Sequence, residues 1–293
     1  MSGPGETPAA TPPAAPPRLR PASARARASR AGIAVTEAFS RGAAIDRDWM
    51  GWGALRVLSR QDWAPGAMRD DGRVANMERL FLVLEGALDA DGGAFGRHRV
   101  DAGGVLWIGS GHGVHSRLAH ASPDAPLRLV ELWLQPERVN AMPGMAATLP
   151  EARAFDPCRG GAQGWSVLAA PAGGVAATGV SVTAERILDP AISAAAGQPL
   201  PLPLRQQAAV MVACLGPGRQ LDLPDPGRAR WWLEILSGKT VVADAGARAA
   251  DTARVQLASG DGLGWAGGPA GAPVSVAAAG DAPARLLLLA LPA

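Results

Sequence analysis

Two glycine-punctuated segments place the strongest constraint on how this chain can fold. The first covers residues 72–86 and contains Glu78 ahead of a leucine-rich run. The second covers residues 102–117 and has His115 and Arg117 at its end. Short apolar runs bounded by Gly, Asp and Asn are typical of strands joined by tight turns. Both segments therefore predict β-strands, with a hairpin-sized stretch between them.

The same alternation of short apolar runs and turn residues continues along the chain. Short apolar runs predict strands at residues 80–84, 105–108, 127–134, 167–170, 231–236 and 286–291. Their length and turn content favour an all-β sandwich or barrel over helices, and double-sheet jelly rolls are the natural class. A chain of 293 residues suggests about two domains. We therefore expect two β-sandwich units in tandem.

The ordered set of segments resembles the pirin family of bicupins. In that family the first segment carries His-x-His ahead of the glutamate, and the second ends in Gly-x-Gly-x-x-His-Ser-Glu. In the family, the two histidines of the first segment and the histidine and glutamate of the second hold a divalent metal such as Fe. On this chain the four ligand positions fall on Gly72, Val74, His115 and Arg117. The resemblance covers residues 40–293, is weakest between 150 and 225, and implies two tandem cupin domains, each a jelly-roll β-sandwich.

The residues of the first segment bear on a possible metal site independently of the family resemblance. Alternate residues of a strand share a face. Leu80, Leu82 and Glu78 then share one face, with Val74 and Gly72 if the strand continues, and we expect this face to be the core. Two imidazoles and a carboxylate there would suit Fe(II) or Mn(II). A glycine and a valine offer no ligand atoms, so we expect no metal cofactor.

A pocket is still expected around Gly72, Val74, Glu78, His115 and Arg117. A buried Glu78 needs a partner or must protonate. We hypothesise that the Arg117 guanidinium, with His115, replaces the charge of the metal and pairs with Glu78. The alternative is that Arg117 points to solvent and Glu78 forms local hydrogen bonds.

A residual metal site is a further alternative. His112, His115 and Glu78 together could supply three ligands. Relative to the family pattern, the loop lacks one residue before His115, which would turn that side chain away. The catalytic residues, if there are any, stay unassigned.

Composition sets the expected domain boundaries. Residues 1–38 are rich in Pro, Ala and Arg and are expected to be a disordered tail. A basic arm that touches nucleic acid or lipid, or a transit-like presequence, are the alternatives. The N-terminal cupin is expected at residues 39–150, a linker at 151–177, and the C-terminal cupin at 178–293.

Charge and cysteine content narrow the classes of partner. The net charge is +2, which gives no strong attraction to nucleic acid or anionic membranes. No stretch approaches about 20 consecutive apolar residues, so no membrane span is expected. The two cysteines, Cys158 and Cys214, lie outside any Cys-x-x-Cys motif, and a reducing cytoplasm is the simpler expectation.

Three functions from different classes follow. The first is a binding or regulatory protein that has lost most of its metal ligands and takes a small organic acid or aromatic. The second is a metal-dependent oxidoreductase similar to quercetin 2,3-dioxygenase, as the family resemblance implies for some members. The third is a structural homo-oligomer built through edge strands. No feature of the sequence identifies a protein partner.

Overall fold

Almost all regular structure in the chain is β-strand. The computed structural model describes residues 16–148, 164–171, 201–224, 230–244, 254–266 and 273–293. The first of these ranges contains twelve strands: β1 (Arg18–Arg20), β2 (Ala26–Arg30), β3 (Ile33–Glu37), β4 (Leu55–Trp63), β5 (Met68–Val74), β6 (Glu78–Glu85), β7 (Ala87–Asp91), β8 (Arg97–Asp101), β9 (Val105–Gly109), β10 (Val114–His120), β11 (Leu127–Leu134) and β12 (Gly144–Ala147).

The later ranges contribute ten further strands. They are β13 (Ser166–Pro171), β14 (Leu202–Leu204), β15 (Ala209–Leu215), β16 (Gln220–Asp222), β17 (Arg230–Ser237), β18 (Lys239–Asp244), β19 (Arg254–Ala258), β20 (Gly262–Ala266), β21 (Pro273–Ala278) and β22 (Ala284–Leu291). Three short 3-10 helices complete the described elements, at Ala22–Ala24, Arg47–Trp49 and Gly93–Phe95. None of the helices in these ranges is long and apolar enough to cross a membrane.

The strands form two sandwiches, each made of one large and one small sheet. The N-terminal sandwich has a seven-stranded sheet, β12-β9-β6-β11-β4-β3-β2, over a four-stranded sheet, β5-β10-β7-β8. The C-terminal sandwich repeats the plan, with β1-β20-β17-β22-β15-β13-β14 over β16-β21-β18-β19. The prediction of an all-β fold with two tandem sandwiches is confirmed, and so are the six predicted strands.

The two large sheets pack against each other and form the largest apolar cluster. Leu80 and Leu82 of β6 meet Trp232 of β17 and Leu287 of β22 in this cluster. The leucine face of β6 is therefore buried as predicted, but against the other domain. The interior of the N-terminal sandwich receives the opposite face of the same strand, including Phe81.

The prediction of a disordered tail over residues 1–38 is wrong from Arg18 onward. β2 and β3 extend the N-terminal seven-stranded sheet, and β1 pairs with β20 of the C-terminal sandwich. The Arg25 guanidinium binds both carboxylate oxygens of Glu234 at 2.6 and 2.7 Å. Composition could not reveal this order, because the partners of β1 and of Arg25 lie more than 200 residues away. Residues 1–15 lie outside the described ranges.

The predicted linker at 151–177 also needs correction. Ser166–Pro171 forms β13 within the C-terminal seven-stranded sheet, so that sandwich begins earlier than residue 178. The rest of the predicted linker lies outside the described ranges. Cys158 lies there too, so the expectation of a reducing compartment drawn from the cysteines stays a prediction.

Candidate functional site

The predicted pocket residues on β5 and β10 do not line a common cavity with Glu78. His115 and Arg117 lie on the outer face of the four-stranded sheet, with side chains 57% and 73% exposed. Both contact Asp70, through His115 Nε2 at 2.6 Å and Arg117 Nε at 3.1 Å. Gly72 has a φ of +63° and donates its N–H to the same carboxylate at 2.9 Å.

Asp70 is thus the centre of an exposed cluster. The backbone N–H of Gly72, with the side chains of His115 and Arg117, lowers the pKa of Asp70 to about 2. Val74 pairs with Val114 at the end of the same two strands. A bulge at Gly72, opposite the register shift between His115 and Arg117, interrupts the pairing of β5 with β10. The His115 and Arg117 side chains point outward, whereas Val74 is paired with the buried Val114.

Glu78 lies elsewhere, at the interface of the two domains. It is 1% exposed, and both carboxylate oxygens accept the backbone N–H of Arg205 at 2.9 Å. The Trp107 indole N–H donates to it at 3.2 Å. Burial raises the pKa of Glu78, and these donors oppose that shift. The hypothesis of a Glu78–Arg117 ion pair is wrong. The alternative is correct for Arg117, which faces solvent, but wrong for Glu78, whose hydrogen-bond donors are distant in sequence.

The proposed residual metal site is not assembled either. His112 is exposed, and its carbonyl accepts a hydrogen bond from Arg73 at 2.5 Å. Across the described ranges, no group of three or more His, Cys, Asp or Glu side chains is placed to hold a metal ion. The residues present therefore do not fit the metal centre that the family resemblance implies.

The interior of the N-terminal sandwich instead contains a buried ion network. Glu131 of β11 is at its centre and is fully buried. The Arg69 guanidinium binds both of its oxygens at 3.0 Å, and Arg79 Nη2 lies 3.1 Å from Oε1. Gln61 and Trp133 also donate to Glu131, at 2.6 and 2.7 Å. Burial opposes ionisation, but Arg69, Arg79 and Arg41 hold the pKa of Glu131 well below its usual range.

The network extends to the small sheet through Asp71 and Ser116. Asp71 of β5 forms ion pairs with Arg79 and, at 2.6 Å, with Arg69 Nε. Ser116 of β10 accepts from Arg79 Nη1 at 3.1 Å. The fully buried Arg79 guanidinium therefore bridges the two sheets. It also lies over the Phe81 and Trp133 rings, at 4.9 and 5.0 Å from their centroids.

Arg41 and Glu37 form the more accessible end of the network. The Arg41 side chain is 33% exposed and lies over the Trp133 ring at 5.1 Å. Its contacts with carboxylates are long, 3.4 Å to Glu37 and 3.6 Å to Glu131. Burial raises the pKa of Glu37, although Arg41 and Ser59 oppose this. Arg41 is therefore the least firmly paired cation of the network.

Strand alternation places Arg79 on the face opposite Leu80 and Leu82, and Glu131 was not among the predicted site residues. One signal was available: each charge interrupts an apolar strand, Arg79 near Leu80 and Phe81, and Glu131 between Val130 and Leu132. A charge in such a run is costly to bury alone, so two such residues on neighbouring strands indicate an internal pair. β6 and β11 are indeed neighbours.

Comparison with known proteins yields curated relatives and solved structures. No family model matches the chain. The pirin-like protein YhaK of Escherichia coli K12 is 29% identical over 106 residues, 36% of this chain and 46% of that protein. The backbone closely follows the E. coli pirin YhhW solved in complex with nickel(II), with a TM-score of 0.70, 20% identity and coverage of 94% and 99% of the two chains. The chain is thus similar in sequence to pirin-like proteins over about a third of its length, and it has the two-sandwich fold of a bacterial pirin.

A second curated relative carries an enzyme's name. The quercetin 2,3-dioxygenase of E. coli K12 is 28% identical over 142 residues, 48% of this chain and 59% of that protein. The matched regions thus span about half the length of the curated relatives. At 20% identity, the likeness to YhhW concerns the fold, and the chemistry of this chain must be argued from its own residues.

Proposed function

We propose that this chain is a metal-free, non-catalytic pirin-like protein that binds a small organic acid or acts as a regulator. The observation that carries the proposal is the position of the Arg79 guanidinium, fully buried between Asp71, Ser116 and Glu131. These partners come from β5, β10 and β11. The first two are the strands onto which the family's ligand positions fall.

The charges of the network support the same proposal. Arg41, Arg69 and Arg79 are matched by the carboxyl groups of Glu37, Asp71 and Glu131. A divalent cation in this space would add positive charge beside guanidinium groups at low dielectric, where repulsion is strong. Arg–carboxylate pairs need no cofactor and hold fixed geometry.

Metal analysis tests the metal-free part. Protein purified without chelators should contain far less than one equivalent of Fe, Ni, Mn, Cu or Zn by elemental analysis. A near-stoichiometric metal that is lost in a folded His115→Ala variant would overturn the proposal.

A metal-dependent oxidoreductase similar to quercetin 2,3-dioxygenase is the second candidate. The observation in its favour is the curated relative of that name. Dioxygen chemistry of this kind needs a redox-active ion, and Gly72 and Val74 offer no side-chain ligand for one. The protein should be loaded separately with Fe, Ni, Mn, Cu and Zn and assayed with quercetin. Turnover with any one of these metals would establish this candidate instead.

Arg41 and Trp133 suggest how an organic acid would bind. Arg41 could exchange its long contacts with Glu37 and Glu131 for an incoming carboxylate, while a flat apolar group packs on Trp133. Calorimetric titration with benzoate, and with benzamide as the matched neutral probe, tests this. We expect benzoate binding that weakens at least tenfold in Arg41→Ala and is unchanged in Arg128→Ala, an exposed pair partner of Asp62. Equal binding of both probes would contradict the proposed role of Arg41.

The remaining expectations about partners and location stay predictions. Neither nucleic acid nor a membrane is expected as a partner, because the net charge is only +2. A cytoplasmic location also stays a prediction.

A further inference from the structure

The outer face of the four-stranded sheet carries a row of alternating charges that crosses all four strands. Register partners place Asp70 of β5 beside Arg117 of β10, Arg117 beside Asp91 of β7, and Asp91 beside Arg97 of β8. All four side chains are exposed, from 37% for Asp91 to 86% for Arg97. From one edge of the sheet to the other, the charges are negative, positive, negative, positive.

This row is complementary to its own reverse. A two-fold axis parallel to the strands, between β10 and β7, would lay the sheet face to face on a second copy with the strand order reversed. Asp70 would then face Arg97 of the second copy, and Arg117 would face Asp91. Each of the four charges meets its opposite, and a closed two-fold contact of this kind is self-complementary by symmetry.

The neighbouring row fits the same operation. It runs Met68, Ala119, Asp89, Arg99 across the four strands. Met68 is 70% exposed and would face Arg99, whose aliphatic stem can cover it. The small Ala119 would face Asp89, which has no hydrogen-bond or ion-pair partner in the described part of the chain. Both rows border a depression of about 720 Å³ that could receive the side chains of a second copy.

We propose that the chain forms a two-fold homodimer through this face, with a second copy as its occupant. Four strands about 4.8 Å apart, each about six residues long at about 3.4 Å per residue, cover about 400 Å² in projection. Specific interfaces bury about 800 Å² of accessible surface per partner. The face is therefore smaller than a specific interface of standard size, and its contacts are mainly ionic. The dimer is therefore weak, and salt dissociates it.

Two charge-reversal variants test the pairing directly. A homodimer of Arg117→Asp would set the introduced carboxylate against Asp91, and a homodimer of Asp91→Arg would set the introduced guanidinium against Arg117, so each variant alone should be monomeric. Mixed together, they restore both opposite-charge contacts. Sedimentation equilibrium at low salt should give twice the 29.8 kDa chain mass for the wild type and the mixture, and one chain mass for each variant alone. Changes within one chain cannot explain a recovery that requires mixing.

A second pair and a control guard against misfolded variants. Asp70→Arg and Arg97→Asp should behave in the same way as the first pair, and circular dichroism checks that each variant is folded. Arg128→Asp, on the exposed face of β11 beside Asp62 and Glu85, should leave the dimer intact. A monomeric wild type at low salt, dimeric single variants, or mixtures without recovery would each overturn the proposal.

Discussion

The two sandwiches share a plan of seven strands over four but differ in what fills them. The C-terminal interior is apolar, with Trp231 and Trp265 stacked at 6.1 Å between aliphatic side chains. The N-terminal interior is apolar over only part of its volume, and the rest holds the Arg79–Glu131 network. The same β framework thus accommodates an apolar core in one sandwich and a buried ion network in the other, provided that every buried charge has a partner of opposite charge.

The difference has an energetic meaning. An apolar core depends on removal of surface from water and on close packing. A buried ion network depends on mutual compensation, so loss of one member leaves its partners charged and unpaired. Substitutions in the two interiors should therefore respond differently to pH.

The largest effect is expected from Glu131→Gln in the N-terminal interior. Removal of the central carboxylate leaves Arg69 and Arg79 without their main counter-charge, which should lower the free energy of unfolding by about 3–5 kcal/mol. Urea denaturation measures this. The matched control is Glu85→Gln, which removes an exposed pair with Arg128 and should cost less than about 1 kcal/mol. Equal effects of the two variants would mean that the network contributes little to stability.

Leu233→Ala in the C-terminal interior is expected to lower the free energy of unfolding by a slightly smaller amount than Glu131→Gln. Leu233 is fully buried in the apolar cluster. Its truncation leaves a cavity and should cost about 2–5 kcal/mol. Val274→Ala, at a position 41% exposed, should change stability by about 0.5 kcal/mol or less. A cost below that of the control would indicate that the interior collapses around the cavity.

The pH dependence should separate the two variants. The pKa of Glu131 in the folded state lies well below its ordinary value of 4.5. The contribution of the Glu131 carboxylate to the free energy of unfolding is therefore complete above pH 4.5 and is lost as the pH falls toward the folded-state pKa. The difference between wild type and Glu131→Gln should shrink below pH 4.5, whereas the Leu233→Ala deficit should stay constant. Parallel pH profiles for both variants would refute this assignment.

The smallest effect is expected from Glu78→Gln at the domain interface. Burial raises the folded-state pKa of Glu78 above 4.5, so ionisation disfavours the folded state as the pH rises through that pKa. The amide oxygen can still accept from Arg205 and Trp107. We expect the variant to lose less stability than the wild type between pH 4.5 and pH 8. An identical loss in both proteins would place the pH response in other groups, with Glu37 the first to test.

Much of the fold could be predicted because strand runs and turn residues are local signals. Apolar stretches such as 127–134 and 286–291 became strands at the expected positions. The sequence could not predict which face of β6 packs inside its own sandwich. Both faces of that strand are buried, and the alternation of side chains does not distinguish one buried face from the other. The resemblance indicated β5 and β10, but the bulge at Gly72 between these strands determined which side chains of β5 point inward.

Partners distant in sequence account for the rest. Glu78 is bound by Arg205, and Glu234 by Arg25. Each buried glutamate thus takes its partner from a distant segment, Glu78 from the backbone N–H of Arg205 and Glu234 from the Arg25 guanidinium. No local pattern encodes such a pairing, and the arginine-rich composition of the first residues was consistent with disorder. Only the assembled sheets bring these residues together.

The pairing of β1 with β20 has a consequence for how the molecule is made. Arg18–Arg20 leaves the ribosome long before its hydrogen-bonding edge, Gly262–Gly264. The C-terminal sheet can be completed only after β22 has been synthesised. The two halves are consequently not separable modules, and a cut between them would deprive the second half of both a strand and the Arg25 counter-charge for Glu234.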